Sequence, residues 1–180
     1  MTDNSTRIAL VGCMGIGKTT AIRSVCGTAV TDCDVPNLDT AQHQKETTTV
    51  GVEFGEVDLG DGDKLQLYGC PGQERFNFVR SWVLSLSHGV FVMVDVNDRN
   101  ALEQAASLLT EINDHHTHCV AAILSSRPTT STQFSSFATK LEHRQGYVTP
   151  ILQADVRNRQ EILEALQVLA SMLMFRNSIL

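Results

Sequence analysis

What this chain lacks narrows its possible roles first. No apolar stretch approaches the roughly 18 or more residues of a membrane span; the longest, Gly89-Val-Phe-Val-Met-Val94, is far too short. Lys and Arg number 14 against 20 Asp and Glu, a net charge of −6, and no basic cluster stands out, which argues against nucleic acid as the main partner. The five cysteines (Cys13, Cys26, Cys33, Cys70, Cys119) are odd in number and form no C-x-x-C pair, so they read as reduced thiols and not as a disulfide framework. The N-terminus shows neither a signal peptide nor a glycine at position 2, and the C-terminus Arg176-Asn-Ser-Ile-Leu180 has no prenylation cysteine. A cytoplasmic protein is expected, reaching membranes only through a partner. At 180 residues with 42% hydrophobic content, the chain suits one domain with a full core.

What is present is concentrated near the start. Gly12-Cys-Met-Gly-Ile-Gly-Lys18-Thr19 matches G-x-x-x-x-G-K-[ST] at every fixed position, directly after the apolar run Ile8–Val11 and before a helix beginning Thr20-Ala-Ile. Gly12, Gly15 and Gly17 let the backbone curl so that successive N–H groups, Ile16 among them, face one anion. The helix N-terminus at Thr19 and Thr20 adds positive potential toward the same phosphates. Lys18 is suited to the β- and γ-phosphates, and the Thr19 hydroxyl to Mg²⁺. The pattern predicts a site for a nucleoside triphosphate.

Strand and helix signals alternate along the rest, which predicts an α/β layered sheet. Strands are expected at Arg7–Val11, Thr49–Leu59, Lys64–Tyr68, Val90–Val96, Cys119–Leu124 and near Val148–Leu152. Helices are expected at Lys18–Cys26, from Asn100, near Phe134–Leu141 and over Arg159–Leu173, with Asn100-x-x-Glu103 and Asn158-x-x-Glu161 as capping boxes. The turn Gly60-Asp-Gly-Asp63 predicts a hairpin, hence one antiparallel edge strand on an otherwise parallel sheet of about six strands with helices on both faces. Residues 27–46 are polar, contain Pro36 and show no periodicity, and are expected to be an extended insertion in a single domain spanning 1–180. His115, His116 and His118 suggest a metal site by number alone; without a carboxylate at ligand spacing, a solvated loop is the better reading.

With Thr48-Thr49-Val-Gly-Val-Glu-Phe54, Gly69-Cys-Pro-Gly72-Gln73-Glu-Arg-Phe76 and Val92-Met-Val-Asp-Val-Asn-Asp-Arg99 added, the chain resembles the small Ras-like GTPases of the phosphate-loop NTPase fold. The exit of its central strand has Arf-like features, and the Pro-Gly-Gln form of its second switch is similar to the bacterial MglA-like branch. The resemblance implies that Thr49 closes with Thr19 on Mg²⁺, that the Gly72 N–H senses the γ-phosphate, and that Gln73 orients the attacking water. It also implies GTP and GDP as ligands and a roadblock-type activating partner.

Departures from the family pattern accompany that resemblance. Asp-x-x-Gly becomes Gly69-Cys-Pro-Gly72, without the carboxylate that normally supports Mg²⁺. Met14 is bulky at a loop position often held by a small residue, where it would obstruct a partner's arginine finger. The Asn-Lys-x-Asp expected after Leu124 reads Ser125-Ser-Arg-Pro128, lacking the guanine-reading aspartate; Gln153-Ala154-Asp155 replaces Ser-Ala-Lys. Ala154 through its N–H, and Asp155 through its carboxylate, are the remaining weak base contacts. No arginine directly precedes Thr49, so a slow switch is expected, turning over at roughly 10⁻⁴–10⁻³ s⁻¹ unaided. The competing expectation is a pseudo-GTPase scaffold with relaxed or lost nucleotide specificity. A phosphate-loop small-molecule kinase would need an arginine-rich lid, and no arginine cluster supplies one.

Overall fold

The computed structural model describes residues 5–27, 31–36 and 47–179, and for 32–36, 47–50, 177 and 179 the backbone alone. In chain order the elements are β1 (Ser5–Val11), α1 (Lys18–Cys26), β2 (Thr31–Pro36), β3 (Thr47–Gly60), β4 (Asp63–Gly69), a 3-10 turn (Glu74–Phe76), α2 (Asn77–Leu86), β5 (Gly89–Val94), α3 (Ala101–His115), β6 (Val120–Ser125), α4 (Ser131–Gln145), β7 (Ile151–Gln153) and α5 (Arg159–Ile179). The strands form one sheet in the order β2-β3-β4-β1-β5-β6-β7.

β5 has a buried residue at all six positions, as a strand covered on both faces must. Its side chains alternate between two cores. Val90, Val92 and Val94 join Ala9, Val11 and Ile123 beneath α2, α3 and α4. Phe91 and Met93 join Ile8, Leu10 and Leu124 beneath α1 and α5, where Ile162, Leu166 and Leu169 form the core stripe of the last helix. β1 lies between β4 and β5, so the loop leaving its C-terminal end opens at the sheet's topological switch point, where α/β proteins bind ligands.

The mostly parallel sheet and its helix layers are as the alternating pattern predicts, with four differences of detail. β3 is the one strand running against the rest, but it is not the edge. β2 pairs with it and takes that place, bringing the strands described to seven. β2 falls inside the polar segment read as an insertion; positions 28–30 and 37–46 of that segment lie outside the described residues. Its own signal is weak, since Asp32-Cys-Asp-Val35 alternates over only four positions and Asp and Pro are depleted in strands; pairing with β3 specifies it. The pattern does not anticipate the helix α2, although Val79 and Val83 are buried at helical spacing, with Phe78 and Trp82 partly buried against the same core.

The capping expectations also need correction. Asn100 makes no side-chain cap; its own N–H donates to Asp98. Asn158 accepts from the Gln160 N–H, while Glu161 accepts from Asn158 Nδ2 and from the Asp155 N–H instead of closing a box. The reciprocal box is at Thr130 and Gln133, which starts α4. His116 is buried, with Nε2 3.3 Å from Ser81 Oγ, so the histidine cluster is partly a packing element at the α2–α3 corner and not a wholly solvated loop.

The placement of α1 depends on β3. A Cβ at Gly55 would lie 2.6 Å from Ile22 Cγ2 and 2.7 Å from Cys26 Sγ, so a side chain there would push the helix off the sheet. Gly55→Val is expected to cost about 1–3 kcal/mol by overpacking, read as a lower denaturation midpoint in urea. An unchanged midpoint would show that α1 can shift without loss.

Candidate functional site

The β1–α1 loop takes the conformation that its glycines permit: φ is +148° at Gly12, +76° at Gly15 and +110° at Gly17. Ile16 is buried and anchors the loop in the core, while α1 starts at Lys18 and directs its first-turn N–H groups into the cleft. Lys18 is 8% exposed, and its Nζ donates to the Gly12 and Cys13 carbonyls at 2.8 Å each. Burial holds its pKa below the ordinary lysine value, opposed by the thiols of Cys13 and Cys70 and the carboxylate of Glu53. Two of the ammonium donors are thus held within the loop that it serves, and a phosphate oxygen arriving there would relieve the cost of burying the charge.

The second switch segment lies directly against this loop. The Cys70 N–H donates to the Leu10 carbonyl at 3.0 Å, fixing the chain as it leaves β4. A Cβ at Gly72 would stand 2.4 Å from Met14 N, 2.6 Å from Cys13 C and 2.8 Å from Gly12 O, so only glycine allows this backbone approach. Gln73 follows, with its Nε2 3.7 Å from the Met14 sulfur; Met14 itself is 74% exposed. Gln73, Gly72, Gly15, Gly17, Lys18, Thr19 and Thr20 line one cleft of about 330 Å³. The structure therefore gathers at one opening most of the residues expected to bind phosphate and orient water; Gly12 instead lines a neighbouring cleft with Cys13 and Gly72, and Ile16 is buried in the core.

At the far end of that cleft the Thr19 hydroxyl donates to the Glu53 carboxylate. Thr49, the other expected metal ligand, lies in β3 with its side chain outside the described residues. An alcohol and a carboxylate offer only oxygen, which suits a hard divalent cation. Among the described residues no group of three or more His, Cys, Asp or Glu could hold a metal. An ion here would take its other ligands from phosphate and water, as Mg²⁺ commonly does.

The base end differs from what the sequence suggests. Ser126, not Ser125, meets the phosphate loop: its hydroxyl donates to Ile16 O at 3.0 Å and to Val94 O at 3.3 Å. Arg127 Nη2 donates to Gly15 O at 2.9 Å, and the Thr129 hydroxyl donates to Asn97 Oδ1. Ser126-Arg-Pro-Thr129 thus occupies the segment over the loop, one residue later than the Ser125–Pro128 alignment. The Ala154 N–H donates to the Ser125 carbonyl at 3.1 Å, and the Asp155 carboxylate takes three hydrogen bonds from Arg157, whose guanidinium and N–H lower its pKa to about 2. Both expected base contacts are therefore committed within the protein in this geometry, Ala154 by the strand ladder and Asp155 by its ion pair. Asp155 still borders a cleft of about 330 Å³ with Gly15, Gly17, Thr20 and Arg127, whereas Ala154 is buried beside it.

The sequence reading missed Glu53, Ser126 and Arg127. A signal existed for the first, an acidic residue four positions after Thr49 in a chain whose position 69 has no carboxylate. For the other two, only the strand register sets which residue faces the loop.

A glycine-lined anion nest at a parallel sheet's switch point, with a buried lysine and a glutamine beside it, defines a phosphate-loop nucleotide-binding domain. The model of the Ras family matches residues 7–129, and the chain belongs to that family. The Ras-related protein RabC of Dictyostelium discoideum is 31% identical over 114 residues, 61% of this chain and 52% of that protein, so the chain spans about half the length of the curated relative it matches. Among solved structures, the cytosolic domain of the T. maritima FeoB iron transporter in GDP form II is similar at a TM-score of 0.62 and 17% identity, over 94% of this chain and 63% of that one; at this identity the likeness concerns the fold. Among the described residues, no helix is long and apolar enough to cross a membrane.

Cys70 reports on how tightly the second switch is seated. It is 1% exposed, and burial pushes its thiol up to about 12; Cys119 is raised to about 11 by the same cause. Both are expected to resist iodoacetamide at pH 8 in the native protein and to react in denaturant, as followed by peptide mass spectrometry. Native modification of Cys70 would show that the segment after β4 opens away from β1.

Proposed function

We propose that this chain is a guanine-nucleotide-binding switch of the Ras family that hydrolyses GTP slowly to GDP and phosphate. The observation that carries the reading is the approach of the second switch to the phosphate loop: Gly72 rests on Cys13 and Met14, and Gln73 enters the same cleft as Lys18 and Thr19. A γ-phosphate arriving between these segments would contact both, so its loss would release one from the other. That differential contact is what a two-state switch requires.

In this reading the loop N–H groups and Lys18 hold the phosphates, and the Gln73 amide orients water for in-line attack. Mg²⁺, held by Thr19 and Thr49, would neutralise charge on the β- and γ-oxygens. The Pro71-Gly72-Gln73 sequence supports the MglA-like branch and a roadblock-type activator as partner. In this reading the chain acts in the cytoplasm as a single domain, with residues 27–46 as an extended polar insertion.

The second reading, a phosphate-binding module without turnover, draws on the base end. With Ala154 and Asp155 engaged internally and no aspartate in Ser126–Thr129, little remains there to read guanine. Loss of one charge-assisted bidentate contact removes about 2–4 kcal/mol of discrimination. GTP remains the favoured ligand on family grounds.

Three experiments test these statements. Lys18→Ala is expected to lower triphosphate affinity by roughly a hundredfold, taking charge-assisted hydrogen bonds at about 1.5–3 kcal/mol each. Gln73→Leu is expected to keep that affinity while slowing single-turnover hydrolysis, with and without an activator. Equal hydrolysis by the parent and Gln73→Leu proteins would remove the catalytic role, and no hydrolysis by either would favour the binding module. Competition among GTP, ATP and xanthosine triphosphate is expected to show a guanine preference well below a thousandfold; a larger one would mean that Asp155 leaves Arg157, or that another residue reads the base.

A further inference from the structure

The family carboxylate missing at position 69 has a counterpart across the sheet. β3 and β4 pair antiparallel with Glu53 directly opposite Gly69, so the two positions share a face. A Cβ built at Gly69 would lie 2.8 Å from Glu53 Oε2 and 3.3 Å from Glu53 Cβ. The Glu53 carboxylate thus stands where a side chain at position 69 would stand, and the two cannot both carry one without movement. From there it accepts the Thr19 hydroxyl and borders the phosphate cleft beside Lys18 and Gly69.

We infer that Glu53 is the metal-supporting carboxylate of this chain, moved from β4 to β3, with Gly69 as the vacancy that makes room for it. The inference rests on the nucleotide-switch reading and deepens it. Its chemistry is that of a hard divalent ion, which keeps several waters and uses one or two carboxylates beside phosphate oxygens. Glu53 acts here toward the ion, directly or through one of its waters, and through the orientation of the Thr19 hydroxyl. Loss of the family's carboxylate would then be a relocation and not a decay of the metal site.

The alternative is that Glu53 only positions Thr19. Glu53→Gln separates the two, because glutamine can still accept the Thr19 hydroxyl through its carbonyl oxygen but carries no charge. The second variant is the swap Glu53→Ala with Gly69→Asp, which returns a carboxylate to β4 and removes the residue that would collide with it. Affinity of the full chain for GDP is measured in EDTA, followed by Mg²⁺ titration of each protein–GDP complex by calorimetry and Mn²⁺ titration by electron paramagnetic resonance.

Expected are similar GDP affinities for all three proteins in EDTA, a drop of roughly tenfold or more in Mg²⁺ and Mn²⁺ affinity for Glu53→Gln, and recovery of most of that loss in the swap. Parental metal affinity in Glu53→Gln overturns the inference, as does a swap no better than Glu53→Gln. If Glu53→Gln fails to fold, the swap decides alone: parental metal affinity supports relocation, and a tenfold loss overturns it. A parent that binds no nucleotide in either condition overturns the switch reading and this inference together. Binding with an undiminished metal response in Glu53→Gln overturns only the inference.

Discussion

The backbone closes on residues 12–14 from several directions, and the rest of the site follows from that crowding. Gly72 lies against Cys13 and Met14, and Lys18 folds back onto the carbonyls of Gly12 and Cys13. Ser126 and Arg127 tie β6's exit to Ile16 and Gly15. Backbone groups at this spacing have no room for side chains between them. The loop is held by β1, β6 and the second switch together, and a phosphate entering it meets donors already in place, at little reorganisation cost.

Charge is distributed to match. The chain carries a net −6, yet Lys18, Arg127 and the N-terminus of α1 concentrate positive potential at the loop. Lys18 gives up part of its stability as a cation to burial, and its neighbours' negative potential offsets some of that. Outside the cleft, Arg80 reaches Glu111 with three hydrogen bonds and joins α2 to α3, so the helix that follows the second switch has its own restraint. Movement of Gly72 and Gln73 therefore need not disturb the core formed by Val79, Val83 and Leu109.

The phosphate and base ends of the site contrast. At the phosphate end polar groups converge on an open cleft. At the base end they satisfy one another: Arg157 holds Asp155, Glu161 accepts the Asp155 N–H, and the Ala154 N–H completes the β6–β7 ladder. On the proposed reading, ligand binding energy would come mainly from phosphates and metal, a division that suits sensing the γ-phosphate more than sensing the base.

Local rules in the sequence determined the phosphate loop, the strands β1, β4, β5 and β6, the hairpin at Gly60–Asp63 and the stripe of α5. Each rests on turn chemistry or on periodic burial within a single segment. Tertiary structure decided what depends on register between segments. β2 exists because β3 offers it an edge. Ser126 and not Ser125 meets the loop because β6 enters one residue later than the motif spacing suggested, and Asp155 is drawn to Arg157 by a turn with no periodic signal. Glu53 and Gly69 are sixteen positions apart in sequence and face each other only through the β3–β4 ladder. A residue's type states what chemistry it can supply; the pairing of strands states which residue stands beside it.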